Sequence, residues 1–323
     1  MTSSLITLCI SIFISIFATN TSAKEFAWSE QSDIIGEQKI VIAKYEDTLS
    51  DIGQSNNIGF NEIVNANPEL DAWLPGDGSQ VMVPSEYILP STRKGIVINL
   101  REFRLYYFPK EGGRVVTYPV GIGAQETPSP LIESQVKLKI EKPNWYPPES
   151  IKAEYLKEHG EEMSAIFPPG PDNPLGAFAI QLDIPDYFLH GTNKAFGIGT
   201  KVSHGCIRLY NEDIENLVYQ LPKKTPVIFI KEPIKLGMKH DELFVELHPD
   251  KADNLSNAKM VELIIKKAIQ LEKRQGPINL DIDAIESAVQ KPLGSPQRIG
   301  TKYQDIKKAD VVAVSPLSSN INY

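Results

Sequence analysis

The first pattern along the chain is an apolar run, Leu5 to Ala18, which gives way to the small residues Thr19-Asn20-Thr21-Ser22-Ala23. About 14 residues fall short of the roughly 20 that a helix needs to cross a bilayer, so residues 1–23 read as a secretory signal peptide cleaved after Ala23. No Lys or Arg precedes the run, and an uncleaved anchor is the alternative. Three patterned regions follow. Between residues 39 and 90, Ile40-Val41-Ile42 predicts a short strand, and Asp47 predicts an N-cap for a helix through Leu49 and Ile52. A second helix over Phe60 to Asn65 stops ahead of Pro68, because proline excludes the residue before it from helix. Pro75-Gly76 turns the chain into a closing strand, Val81-Met82-Val83-Pro84. The order is strand, helix, helix, strand.

Residues 93–232 carry the β-branched and aromatic runs of sheet: Gly95 to Leu100, then Arg104-Leu105-Tyr106-Tyr107-Phe108. Gly112-Gly113 returns the chain as a hairpin through Arg114 to Val120. Further strands are predicted at Phe178–Leu182, Tyr187–His190 and Val227–Ile230. One helix is clear, Asn211 to Leu221, with Asn211 as its cap, Glu212 and Asp213 in the first turn, and Ile214, Leu217, Val218 and Leu221 on one face. Residues 124–174 are proline-rich with weak strand signals, which predicts a lid or binding loop. From 233 to 323 the pattern predicts a strand at Leu243–Leu247, helices at Ala258–Gln275 and Asp281–Gln290, and a mobile tail beyond Lys291. The fold class is α+β, mainly β, with a helical C-terminal extension.

Composition narrows the function. The 323 residues are 41% hydrophobic and 23% charged, with 33 Lys and Arg against 41 Asp and Glu, a net charge of −8. No basic cluster appears, which argues against a nucleic-acid partner. Two cysteines exclude a disulfide scaffold. Cys9 leaves with the signal, so the mature chain holds one thiol, Cys206. In an oxidising compartment a lone thiol is either buried and inert or kept for its chemistry.

Its neighbourhood decides. From His190 to Leu209 the chain holds Cys206, two of the five histidines, several glycines and Arg208. A thiolate nucleophile needs a neighbouring base or imidazolium to lower its pKa from about 8.5. His204, two residues before Cys206, projects to the same side in an extended chain; His190 reaches it if the glycine-bearing loop folds back. Backbone N–H groups around Gly205 and Cys206 are candidate oxyanion donors, and Arg208 offers a planar fork for a carboxylate. The set suggests acyl transfer. A buried structural cysteine would not explain the glycines and arginine. Zinc on His190, His204 and Cys206 is disfavoured by the single residue between two ligands and by the lack of a second cysteine or carboxylate pair. No metal or cofactor is expected. His159, His240 and His248 stand among polar residues and are expected at the surface.

His190-Gly191-Thr192-Asn193, Phe196-Gly197-Ile198-Gly199 and Val202-Ser203-His204-Gly205-Cys206-Ile207-Arg208 together resemble the active-site motif of the L,D-transpeptidase catalytic domain (YkuD-type), in its Gram-negative periplasmic branch. Pro119-Val120-Gly121-Ile122-Gly123, Pro143-Asn144-Trp145-Tyr146-Pro147-Pro148 and Pro168 to Gly176 add to the likeness, which covers about 140 residues, 93–232. The resemblance implies a β-sandwich-like catalytic domain with Cys206 as nucleophile, His190 as base and the Gly191 carbonyl orienting it. It further implies that Ser203, His204 and Gly205 shape the oxyanion pocket and that Arg208 holds substrate charge. The implied substrate is the peptidoglycan stem tetrapeptide, attacked at its third residue with loss of D-alanine. The implied setting is the periplasm, in wall biogenesis and cell shape. The acyl acceptor would be an amine, on a neighbouring stem or on a lysine of an outer-membrane lipoprotein or other protein, and carbapenems would inhibit. An L,D-carboxypeptidase with water as acceptor and a non-enzymatic wall-binding protein are the alternatives. Glu126 to Leu131 departs from the family's usual segment near the cleft.

Residues 39–90 resemble a LysM module, a small peptidoglycan-binding βααβ fold, at Asp47-Thr48-Leu49, Asn65-Ala66-Asn67-Pro68, Leu74-Pro75-Gly76 and Val81 to Pro84. Glu46 stands where that family usually has glycine. The module implies a glycan partner; a spacer that orients the next domain is the alternative.

Overall fold

A computed structural model describes residues 24–29 and 33–303. The expected signal peptide and the last part of the expected mobile tail lie outside them.

The hub is one nine-stranded sheet among the described residues. Its spatial order is Lys24–Ala27, Arg114–Pro119, Arg104–Phe108, Gly95–Asn99, Pro226–Ile230, Glu133–Glu141, Phe178–Leu182, Phe188–His190 and Ile207–Arg208. The runs at 95–99 and 104–108 read as continuous because both faces of these strands are covered. Ile96, Ile98, Leu105, Tyr107, Val116 and Tyr118 enter one core with helix α4 (Asn211–Gln220). Val97, Tyr106, Phe108 and Val115 point the other way, into the core of the N-terminal unit.

That unit has the expected strand–helix–helix–strand order: Lys39–Ile42, α1 (Leu49–Ser55), α2 (Phe60–Ala66) and Gln80–Val83, the two strands antiparallel. The cap of α1 is Thr48 rather than Asp47. Thr48 Oγ1 accepts from the Asp51 N–H at 3.1 Å and Asp51 returns a bond to the Thr48 N–H, while Asp47 accepts from the Lys44 N–H of the preceding turn. The unit is joined to the hub by buried charge. Arg104, fully buried, forks onto Glu62 of α2 at 2.7 and 2.9 Å, and Asn57 donates to Asp213 of α4 at 2.8 Å.

Residues 124–174 are more ordered than their composition suggests. They contain the nine-residue strand Glu133–Glu141 and helix α3 (Glu149–His159). Only Val136 of the strand is buried and no residue of α3 is, so neither leaves an apolar stripe to read.

The C-terminal unit is a four-stranded sheet, Ile234–Lys239, Glu242–Leu247, Gln297–Lys302 and Ile278–Leu280, packed against α5 (Asn257–Gln275) and α6 (Ile282–Gln290). Residues 297–302, expected in the mobile tail, pair with a strand on each side and bury Ile299 completely. His248, expected at the surface, is buried: its Nε2 lies 2.7 Å from Glu246, whose other oxygen accepts from the Ile88 N–H. Glu102, Glu246 and His248 approach within 4.8 Å of one another, the spacing of a metal site, but the Lys235 ammonium is ion-paired with both glutamates. Lys235 holds the Glu246 carboxyl down at about 2 against the cost of burial.

Candidate active site

Two short parallel strands form the floor. Leu189 lies opposite Ile207 and His190 opposite Arg208. Side chains alternate along a strand, so Leu189 and Ile207 enter the core, both at 0% exposure. Phe188, His190 and Arg208 take the other face, and Cys206, two residues before Arg208, shares it. All four, together with Ser203 and His204, line a cavity of about 300 Å³ whose roof includes Trp145, Tyr146, Pro148 and Ile151. The roof is held by paired backbone bonds between Trp145 and Phe167 and by buried Asn173, which donates to the carbonyls of Pro143, Phe167 and Pro168.

His190 Nδ1 lies 2.6 Å from the Gly191 carbonyl oxygen. A carbonyl only accepts, so Nδ1 carries the proton and Nε2 keeps the lone pair. Burial, helped by the Arg208 charge, pushes the imidazole down to about 4, opposed by the Gly191 bond. It is therefore neutral near pH 7. Burial pushes the Cys206 thiol up, outweighing a backbone hydrogen bond from Phe188 and the Arg208 charge. The thiol donates to the Asp186 carbonyl at 3.7 Å. The resting pair is thus thiol and neutral imidazole. The lowered thiol pKa expected from the residue types is not met, because desolvation inside the cleft exceeds the pull of the nearby cation. Arg208 itself forms no ion pair with a carboxylate among the described residues, and its buried Nε has no partner.

The loop between the histidines' positions and the thiol is braced. Gly205 adopts φ +108°, which breaks the extended geometry that would have put His204 and Cys206 on one side. His204 Nε2 instead meets Glu154 of α3 at 2.8 Å and ties floor to roof. Ser203 Oγ accepts from the Gly205 N–H at 3.1 Å and donates to the Cys206 carbonyl. The Gly205 carbonyl accepts from Ser129 Oγ at 2.7 Å and from the Tyr187 hydroxyl. Asn211 does not cap α4, where Tyr210 takes the cap position; its side chain reaches back to Thr192. Ser129, Tyr187, Glu154 and the Asn211 brace escape sequence reading because their partners lie 18 to 76 residues away with no local periodicity to mark them.

A proton-accepting imidazole of fixed tautomer, a thiol and an unpaired guanidinium beneath an aromatic roof define a class of site equipped for acyl transfer through a thioester. Comparison with known proteins gives the particular family. Residues 93–229 match the L,D-transpeptidase catalytic domain, YkuD. The chain is 34% identical to the probable L,D-transpeptidase YbiS of Escherichia coli (strain K12) over 279 residues, 84% of this chain and 90% of that protein. It is 36% identical to the probable L,D-transpeptidase ErfK/SrfK of the same strain over 301 residues, 90% of this chain and 95% of that one. It is 37% identical to the probable L,D-transpeptidase YcfS of that strain over 247 residues, 74% and 77% of the two chains. This chain belongs to the L,D-transpeptidase family.

Proposed function

We propose that this protein is a peptidoglycan L,D-transpeptidase of the periplasm, where the apolar segment Leu5 to Ala18 would direct it. The observation that carries the reading is the neutral, tautomer-locked His190 on the same cavity face as Cys206 and the unpaired Arg208. The Cys206 sulfur attacks the carbonyl of the third residue of a stem tetrapeptide while His190 Nε2 takes the thiol proton. The Cys206 N–H donates to the developing oxyanion; Gly205, whose own N–H is given to Ser203, and His204 shape that pocket. Collapse breaks the peptide bond, and His190 returns its proton to the departing D-alanine amine. The thioester then passes to an amine, on a neighbouring stem or on a protein lysine such as that of an outer-membrane lipoprotein. Arg208 holds a carboxylate of the donor. Incubating the protein with a purified disaccharide-tetrapeptide tests this: D-alanine release with a dimer joined through two third residues is expected. A tripeptide alone would make the protein a carboxypeptidase, and no release would sink both readings.

A carbapenem presents the same kind of electrophile, a strained carbonyl, together with a carboxylate for Arg208. Intact-protein mass spectrometry should show one drug mass on Cys206, absent in Cys206→Ala. In Arg208→Ala it should form roughly tenfold more slowly, the equivalent of about 1.4 kcal/mol from one charge-assisted bond. An adduct on any other residue would count against the pocket.

We further propose that the unit of residues 39–90 acts as a LysM-like glycan-binding module. Its outer surface carries Tyr45 at 84% and Trp73 at 61% exposure, and the Trp73 ring lies 5.7 Å from that of Phe60. Aromatic faces suit sugar rings. The full chain with Trp73→Ala should co-sediment with purified peptidoglycan about threefold less than the parent, a loss of order 0.7 kcal/mol. Unchanged retention with an unchanged melt would leave the unit a spacer.

A further inference from the structure

We propose that Asn211 is a positioning residue for the general base, acting through the peptide group between Gly191 and Thr192; the inference rests on His190 being that base. The Asn211 Oδ1 accepts from the Thr192 N–H at 3.1 Å, and its Nδ2 donates to the Thr192 carbonyl at 2.9 Å. The Thr192 N–H belongs to the same planar unit as the Gly191 carbonyl, and in a trans peptide the two point in opposite directions. Holding the N–H on one side therefore aims the carbonyl oxygen at the other, where His190 Nδ1 meets it at 2.6 Å. The hydrogen-bonded chain runs from the imidazole through one peptide to the Asn211 amide. Each bond polarises the next, so Asn211 also makes the Gly191 oxygen a better acceptor.

Packing leaves the arrangement no slack. A Cβ on Gly191 would lie 2.2 Å from Asn211 Oδ1, and so would one on Gly176. The amide thus lies directly against the Cα atoms of Gly191 and Gly176, where any larger residue would collide with it. The support behind it is rigid. Asn211 sits in the first turn of α4, whose Ile214 and Leu217 are fully buried and whose Asp213 is held by Asn57. The amide therefore does for the imidazole, at one remove, what a third side chain does in a serine-type triad: it selects the Nδ1–H tautomer and keeps the Nε2 lone pair facing the cleft.

The test is the rate of Cys206 alkylation by iodoacetamide, followed from about pH 5 to about pH 11, with the ¹⁵N shifts of His190 recorded alongside. Asn211→Ala should alkylate about 10- to 100-fold more slowly than the parent at neutral pH and converge with it at the alkaline end, where the thiolate forms unaided. Its His190 signals should show a mixture of tautomers in place of Nδ1–H, with a cooperative melt retained. Asn211→Asp keeps the acceptor for the Thr192 N–H, and should keep the Nδ1–H tautomer and most of the neutral-pH rate. Should the alanine variant fail to melt cooperatively, the near-isosteric Asn211→Leu carries the same expectation. A slowing that is equal at every pH, or a profile that overlays the parent's, overturns the proposal. His190→Ala separates this from failure of the functional reading: if it keeps the parent profile, His190 is not the base; if it loses it while Asn211→Ala does not, only the role of Asn211 falls.

Discussion

With Cys206 replaced by alanine, D-alanine release and acyl transfer fall to background, and serine in its place stays lower by about 10³-fold or more, because a hydroxyl is far less ionised and less nucleophilic than a thiol. The pH profile of the parent should carry the mark of the buried pair. Burial and Arg208 hold the His190 imidazole at about 4, and only its neutral form accepts the thiol proton. Activity therefore rises as pH increases through about 4 and stays flat across neutrality; an acid limb at the ordinary imidazole value of 6.5 would contradict the buried base. The linkage has a definite sign. The folded state prefers neutral His190, so this group's contribution to stability is complete above 6.5 and is lost as pH falls from there toward about 4. His190→Ala should remove that acid-side dependence from the melting curve and should lower the transfer rate by about 10²- to 10⁴-fold.

Replacing Glu62 by glutamine should cost about 3–5 kcal/mol, the penalty of leaving a buried charge without its counterion. The guanidinium of Arg104 is at 0% exposure, donates to both oxygens of Glu62, to the Asn57 carbonyl and to Thr117, and lies 4.2 Å over the Tyr87 ring. Its pKa is raised, Glu62 foremost among the groups that lift it against burial, so it stays charged when its partner is neutralised. The melting temperature should fall by about 6 °C or more. Substituting both members, Arg104→Met with Glu62→Leu, should recover most of the loss, since an apolar pair of similar volume does not bury a lone charge. A Glu62→Gln chain that melts like the parent would overturn this expectation. The ion pair would then contribute nothing to the shared core of Val97, Tyr106, Phe108 and Val115.

That ion pair shows where sequence reading stops. Arg104 opens the run Arg104-Leu105-Tyr106-Tyr107-Phe108 and looks like a strand residue at a hairpin edge. Nothing within a few residues says that Glu62, 42 positions earlier, will close over it. The strands themselves were legible, because periodicity and β-branched content are local properties. The Phe178–Leu182 strand and the Leu243–Leu247 segment lie where their patterns place them. The chemistry was legible for a related reason: His190, Gly205, Cys206 and Arg208 fall within twenty residues, a density of special residue types that a buried structural thiol does not require.

What the amino-acid order determined by itself, then, is the strongly patterned elements, the strand–helix–helix–strand order of the N-terminal unit and the stretch that carries the thiol. The tertiary structure decided what each histidine of the cavity does, since His204 is tied to Glu154 while strand register sets His190 beside Arg208 and the Gly191 carbonyl fixes its tautomer. It decided the ionisation of the pair, because desolvation depends on what the rest of the chain lays over a group and not on its neighbours in sequence. It placed His248 among Glu102, Glu246 and Lys235, and made a strand of residues 297–302 whose glycine and polar content reads as a tail. It turned Asn211 from an expected cap into a brace 19 residues from its partner. Each of these rests on contacts between segments far apart in the chain, and pattern, being a property of near neighbours, does not encode which distant surfaces will meet.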